Sequence, residues 1–244
     1  MTSDTLHPNT GRPAPVNAAK VHKTKAAPNA RMFHSRLLGG LFLAGYLTYG
    51  VGFGLVTSVT NTPDFLAALP AHQITLMLGA FLMLLNTGVD IGKAVLFFPV
   101  IERHGKRTAL VYLATMIVEV VLLDIGVFAL LSLVPLAQHA AGTPWADATS
   151  SLAITANATA YQVAEMTLAI GCIFLCALLY RTRLIPRFLS IAGLIGYPIL
   201  MAGTIAELFG LHIGTMLTIP GMFFELVLPF WLFIKGFEPA AYGD

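Results

Sequence analysis

Acidic side chains and one lysine lie inside long apolar runs of this sequence. Asp90 and Lys93 interrupt one run, Glu119 interrupts the next, and Glu225 interrupts the last. An ionisable side chain at the centre of a bilayer costs roughly 2.5–3.5 kcal/mol on insertion scales, so such groups usually pair with one another or mark the path of a proton, ion or solute. These residue types support reversible binding of a proton or cation by carboxylates, with an ammonium as counter-charge.

The residues around Asp90 have helical spacing. Asn86, Asp90 and Lys93 are spaced i, i+4 and i+7, which places them within about 60° of one another on a helix. Asp90 and Lys93 can pair directly because residues three apart are neighbours on a helix surface. The spacing therefore predicts one polar stripe with an internal ion pair.

Four polar residues share one predicted depth. Asp90, Glu119, Tyr197 and Glu225 each lie about ten residues from the basic end of their predicted helix, which is about 15 Å and close to the bilayer midplane. Carboxyl groups outnumber the ammonium of Lys93 at this level. Desolvation and like charge both disfavour ionisation, so we expect at least one carboxyl group to hold a proton at neutral pH. The predicted polar site consists of Asn86, Asp90, Lys93, Glu119, Tyr197 and Glu225.

The elements that carry these residues are predicted to be membrane helices. The chain is 57% hydrophobic and 11% charged, less than half of the roughly 25% charge of a soluble domain. Apolar runs longer than about 18 residues recur, and each is a candidate transmembrane helix. We predict an all-α, integral membrane six-helix bundle over 36–237, between a disordered basic tail (1–35) and a short tail (238–244). The predicted helices are 37–59, 73–100, 109–134, 158–180, 188–209 and 213–234.

The positions of Lys and Arg predict the orientation. Of the fourteen, six lie in residues 1–36, three in the turn 102–107, three in the turn 181–187, and the other two are Lys93 and Lys235. Cytoplasmic loops carry the excess of Lys and Arg, so this distribution predicts a multi-pass cell-membrane protein with both termini cytoplasmic. The formal charge of +2 gives no reason to expect nucleic-acid binding.

The sequence lacks the common motifs of enzymes and metalloproteins. We find no P-loop, HExxH, GxSxG or GxGxxG pattern, and we predict no cofactor and no metal. Cys172 and Cys176 share a helix face with Glu165 and are expected to be packed thiols. The missing motifs weaken an enzyme hypothesis without excluding it.

Several stretches resemble a bacterial membrane family known as domain of unknown function 4386. Two of them are more specific: Leu184-Ile-Pro-Arg-Phe-Leu-Ser190, and Trp231-Leu-Phe-Ile-Lys-Gly-Phe237. The similar stretches are 36–43, 96–104, 109–119, 179–196 and 225–237. The resemblance implies a multi-pass membrane protein with glutamate at positions 119 and 225. Val118 stands where that family often has Arg, and Lys93 is the candidate replacement for that charge. The resemblance brings no activity.

These observations leave alternatives open. The first is a small carrier or channel-like protein whose midplane carboxylate site binds a proton, an ion or a small solute. The second is a non-transporting sensor or assembly subunit, in which the buried charges are structural and the basic turns 102–107 and 181–187 contact a protein or anionic lipid. A third is an intramembrane enzyme that acts on lipid through the same carboxylates, which requires a groove open to the bilayer. The lipid bilayer is the expected partner in each case.

Overall fold

The computed structural model describes residues 28–211 and 213–242, and these residues are helical, with no strand. Six helices in this part of the chain are long and apolar enough to cross a membrane, which confirms the predicted membrane bundle. The helices are α1 (Pro28–Thr60), α2 (Phe65–Glu102), α3 (Lys106–Leu131), α4 (Leu133–Ala140), α5 (Pro144–Thr182), α6 (Arg187–Leu208) and α7 (Gly214–Ile234), followed by a 3-10 turn (Pro239–Tyr242).

The first helix begins earlier than the sequence predicted. Residues 28–35, assigned to the tail, form the start of α1, and the rest of the predicted tail (1–27) lies outside the described residues. Two contacts explain the extension: His34 Nε2 lies 2.9 Å from the carbonyl oxygen of Leu96, and Arg36 Nε donates to the carbonyl oxygen of Phe233 at 3.2 Å. The start of α1 is therefore held by α2 and α7.

The sequence predicted no helix between residues 134 and 158, but most of this stretch is helical in the structure. The structure has α4 there, and α5 begins at Pro144 rather than at 158. Gly142 at φ 84° makes the turn between them, and Pro144 stands at the first position of α5, where its missing N–H costs nothing. Leu133, Ala137 and Ala146 are buried, so the packing of these side chains stabilises α4 and the start of α5.

The last residues also fold back onto the bundle. Tyr242, in the predicted short tail, donates to the carbonyl oxygen of Arg31 at 3.0 Å and therefore accepts the hydrogen bond from Ser35 Oγ, at 2.9 Å. The backbone N–H of Phe237 donates to Ser35 Oγ at 3.3 Å. The beginning of α1 and the end of the described chain are therefore fixed to each other.

The six spanning helices form a closed ring. Packing runs from α1 to α2, α3, α5, α6 and α7, and α7 returns to α1. One hydrophobic cluster fills the end that holds the turns 102–107 and 181–187, and includes Phe97, Leu179 and Leu232. We call this the basic end. A second cluster, with Leu76 and Leu133, fills the opposite end. The polar residues lie between the two clusters.

Glycine allows α1 and α2 to cross closely. A Cβ atom at Gly52 would lie 2.7 Å from the carbonyl oxygen of Gly79 and 2.9 Å from Met83 Cγ. Small residues are common where membrane helices associate, because they let the two backbones approach closely. The hydrophobic effect does not drive helices together in lipid, so this van der Waals packing stabilises the contact. By contrast, a Cβ atom at Gly54, on the same helix, would meet no described atom within 4 Å.

We predict that Gly52→Ala destabilises the protein by about 1–3 kcal/mol through overpacking. Gly54→Ala is the matched control and should preserve or raise stability, since Ala favours helix over Gly by about 1 kcal/mol. Cys172 and Cys176 are buried, so a thiol-reactive fluorophore reports thermal unfolding of detergent-purified protein. Equal unfolding temperatures for the two variants would contradict the close crossing.

Candidate functional site

The Asp90 carboxylate is the centre of a buried hydrogen-bonded group. Lys93 Nζ lies 2.5 Å from Asp90 Oδ1, and Asn86 Nδ2 donates to Asp90 Oδ2 at 2.5 Å. Thr48 of α1 donates to Asn86 Oδ1 at 3.1 Å. The structure thus contains the i, i+3 pair expected from the spacing. Gly45 of α1 lies beside this group, and a Cβ atom there would be in ordinary van der Waals contact with Lys93 Nζ, at 3.5 Å.

The Glu225 carboxylate accepts two tyrosine hydroxyl groups. Tyr197 of α6 donates to Oε1 at 2.8 Å, and Tyr46 of α1 donates to Oε2 at 3.1 Å. Glu225 on α7 therefore joins three helices. Tyr197 was among the predicted residues. Tyr46 was not, because its approach to Glu225 depends on how α1 packs against α7, which no local pattern in the sequence records.

Glu119 differs from the other two acids. Its side chain is only 5% exposed, and its Oε2 atom has no hydrogen-bond partner among the described residues. A buried polar atom without a partner costs about 1–3 kcal/mol, and more when it is charged. Glu119 Oε2 is therefore a buried hydrogen-bonding position that the described residues leave unfilled.

These groups surround one cavity of about 630 Å³. All six spanning helices contribute to its wall, and five of the six predicted site residues line it; the sixth, Tyr197, reaches it through Glu225. The polar lining residues are Tyr46, Tyr49, Asn86, Asp90, Lys93, Glu119, Asn157, Tyr161, Gln162, Glu165, Thr204, Thr218 and Glu225.

A fourth carboxylate, Glu165, was missed as a site residue. It lies on α5 and lines the cavity together with Asn157, Tyr161 and Gln162. Their spacing of i, i+4, i+5 and i+8 is a polar stripe on a helix, and this signal was present in the sequence. Tyr161, Gln162 and Glu165 lie within the predicted helix 158–180, whereas Asn157 lies one residue before it, so the predicted stripe was shorter than the one in the structure. Cys172 and Cys176, on the same predicted face, are buried and free.

Asp124 is an acidic residue of α3 that does not line the cavity. It points about 140° away from Glu119 on an ideal helix, and it is not among the residues that line the cavity. Thr87 Oγ1 donates to Asp124 Oδ1 at 2.7 Å. Asp124 is therefore a natural control for substitutions of Glu119, because both residues are acids on α3.

The charges of the cavity are unbalanced. Its lining includes four carboxyl groups, those of Asp90, Glu119, Glu165 and Glu225, and one ammonium group, that of Lys93. Lys93 Nζ also lies 5.1 Å from the centre of the Phe42 ring, a cation–π contact. The described residues contain no cluster of three or more His, Cys, Asp or Glu side chains arranged to hold a metal ion. This arrangement suits exchange of protons or binding of a cationic group.

Comparison with known families identifies the chain. The sequence model of the family described as Domain of unknown function (DUF4386) matches residues 37–236. The chain belongs to this family. Comparison with curated proteins and with solved structures found no match. The matched region contains the six spanning helices from residue 37 onward, including every residue of the cavity lining, so the cavity lies wholly within the DUF4386 domain.

We predict that Asp90→Asn destabilises this DUF4386 protein by about 3–5 kcal/mol, because it leaves the Lys93 ammonium buried without a counter-charge. The double variant Asp90→Asn, Lys93→Met should regain much of the loss, since it removes both charges. Asp147→Asn, at an exposed position, is the control. Thermal unfolding monitored through the buried cysteines measures the effect, and a double variant no more stable than Asp90→Asn would argue against the pairing.

Proposed function

We propose that the protein is a small carrier whose midplane cavity binds a proton, an ion or a small solute. The observation that carries this proposal is Glu119: a buried carboxyl group with an unpartnered oxygen, lining a cavity formed by all six spanning helices. Ionisable groups within membrane helices are rare, and those that face a cavity are by default candidates for a substrate, ion or proton pathway. A purely structural acid would be expected to have its hydrogen bonds satisfied, as the acid of Asp90 does.

The carboxyl groups have separate roles in this proposal. Lys93 neutralises Asp90, and this pair fixes the floor of the cavity near the basic end. Glu225 accepts hydrogen bonds from two tyrosine hydroxyl groups. Glu119 has no such donors and is the group that takes up and releases a proton as a ligand comes and goes. Proton exchange between Glu119 and Glu225 across the cavity couples the binding of a ligand to the protonation of these carboxyl groups.

We predict that Glu119→Gln and Glu225→Gln reduce proton flux by at least about tenfold, because an amide cannot exchange the proton that general acid–base steps need. Flux is measured with a trapped pH-sensitive dye after purified protein is reconstituted into vesicles. Asp124→Asn is the control, since it removes an acid on α3 outside the cavity. Size-exclusion chromatography verifies that each variant is folded.

Unchanged flux in both folded glutamine variants would contradict the carrier proposal. The alternative of a non-transporting sensor or assembly subunit would then take its place, with the basic turns 102–107 and 181–187 as the surface for a partner. That alternative requires a stable neighbour in crosslinking experiments on intact membranes.

We also propose that the basic end faces the cytoplasm, with both termini on that side. The turn residues at the opposite end of the described bundle include no Lys or Arg, and the excess of positive charge marks cytoplasmic loops.

Lys106→Cys and Ala141→Cys place thiols at exposed positions on the two ends. A membrane-impermeant maleimide should label Ala141→Cys in intact cells, and Lys106→Cys only after permeabilisation. The reverse pattern would invert the orientation.

A further inference from the structure

Helices α1 and α7 contact each other over only part of their length. Near the basic end, a Cβ atom at Gly39 would lie 3.1 Å from the carbonyl oxygen of Pro229. The hydrogen bond from Tyr46 to Glu225 closes the same seam at the level of the cavity. From Glu225 toward the opposite end, the described close contacts of α7 are with α6, as between Gly221 and Gly196.

The cavity reaches the outside of the bundle beyond that hydrogen bond. Phe53 on α1 and Ile219 and Met222 on α7 line the cavity, and they are also 48%, 64% and 39% exposed. Gly50 lines the cavity as well, and a Cβ atom there would meet no described atom within 4 Å. We call these four residues the lateral opening.

The lateral opening lies at the level of the lipid tails. Phe53 is about 10 Å inside the end of α1 at Thr60, and Met222 is about 12 Å inside the start of α7 at Gly214, at 1.5 Å per residue. The hydrocarbon core is about 30 Å thick, so the opening faces acyl chains rather than water. A ligand that passes through it must have an apolar part.

The polar interior requires the other end of the ligand to be positively charged. Four carboxyl groups and one ammonium line the cavity, and Glu119 Oε2 is left without a partner. The rings of Tyr49 and Tyr161 stack with centroids 5.7 Å apart and line the same space. Tyrosine faces attract cations, whereas an anionic head group would face the carboxyl groups with a single ammonium to balance it.

The volume favours an organic molecule over a bare ion. Ligand pockets for small molecules measure about 300–1,000 Å³, and this cavity of about 630 Å³ falls within that range. A proton or a metal ion alone would leave most of the space unfilled. The ligand therefore combines an organic body, an apolar tail and a cationic head.

We propose that the cavity binds lipophilic amines, which enter it from the bilayer through the lateral opening between α1 and α7. The ammonium group of the ligand lies against Glu119, and its chain lies along Phe53, Ile219 and Met222. This inference rests on the proposed function, because it assigns a ligand class to the same cavity. The amine enters in its neutral form and takes up the proton of Glu119, so that an N–H bond forms as the O–H bond of Glu119 breaks, and the resulting ammonium lies against the Glu119 carboxylate.

The test uses tritiated dodecylamine and the full chain in lipid nanodiscs, with empty nanodiscs to correct for partition into lipid. We expect saturable binding that unlabelled dodecylamine displaces, and that Glu119→Gln weakens at least about tenfold. Asp124→Asn is the matched control and should bind as the parent protein does. Ile219→Trp, at a lipid-exposed position, should slow association by narrowing the lateral opening.

Two competitors distinguish the parts of the ligand. Dodecanol has the chain without the charge, and methylamine has the charge without the chain, so neither should displace dodecylamine at matched concentration. Displacement by dodecanol would overturn the role of the charge. Displacement by methylamine, or unchanged association in Ile219→Trp, would overturn entry from the bilayer. Equal affinity in Glu119→Gln would overturn the proposed position of the ammonium.

The failure of this inference is distinguishable from failure of the carrier proposal. If dodecylamine does not bind but the glutamine variants lose proton flux, the carrier proposal stands and the ligand class is wrong. If dodecylamine binds with the expected dependence on Glu119 but flux is unchanged in the variants, the cavity is a binding site and the carrier proposal is wrong.

Discussion

The cost of burying charge in a membrane governs how this bundle is built. An uncompensated buried ion carries a penalty of several kcal/mol, and each acid of the cavity meets that penalty differently. Asp90 is paired with Lys93 and bonded to Asn86, and Glu225 accepts two tyrosine hydroxyl groups. Glu119 has no partner for Oε2 among the described residues, and we propose that it is protonated. The proposed function rests on that difference among neighbouring acids.

The sequence predicted those parts of the molecule that depend on local spacing and on the bilayer. The six spans follow from apolar runs that must satisfy their backbone hydrogen bonds internally. The Asp90–Lys93 pair follows from helical periodicity alone, because its members lie on one helix. The shared depth of Asp90, Glu119 and Glu225 could be counted from the basic turns, and all three line one cavity.

The parts that depend on packing between helices were not predictable in this way. Tyr46 reaches Glu225 across the α1–α7 seam, and α4 is stabilised by its buried face, with Leu133 packed in the second hydrophobic cluster. The start of α5 was obscured by Thr, Ser and Asn residues, which favour turns when considered locally. That error left Asn157 outside the predicted helix 158–180, although Glu165 lay within it. The proposed lateral opening exists because α1 and α7 are in contact near the basic end and separate toward the opposite end. Such a difference in packing between two helices cannot be inferred from the sequence of either one.

The protonation and accessibility of Glu119 are the central claim, and labelling by dicyclohexylcarbodiimide tests both most directly. This lipid-soluble reagent modifies protonated carboxyl groups that it can reach from the membrane. The account predicts that mass spectrometry of protein labelled in vesicles at neutral pH locates the modification at Glu119, with no labelling of the exposed Asp147. Modification of Asp124 in preference to Glu119, or absence of modification at Glu119 in folded protein, would contradict the account.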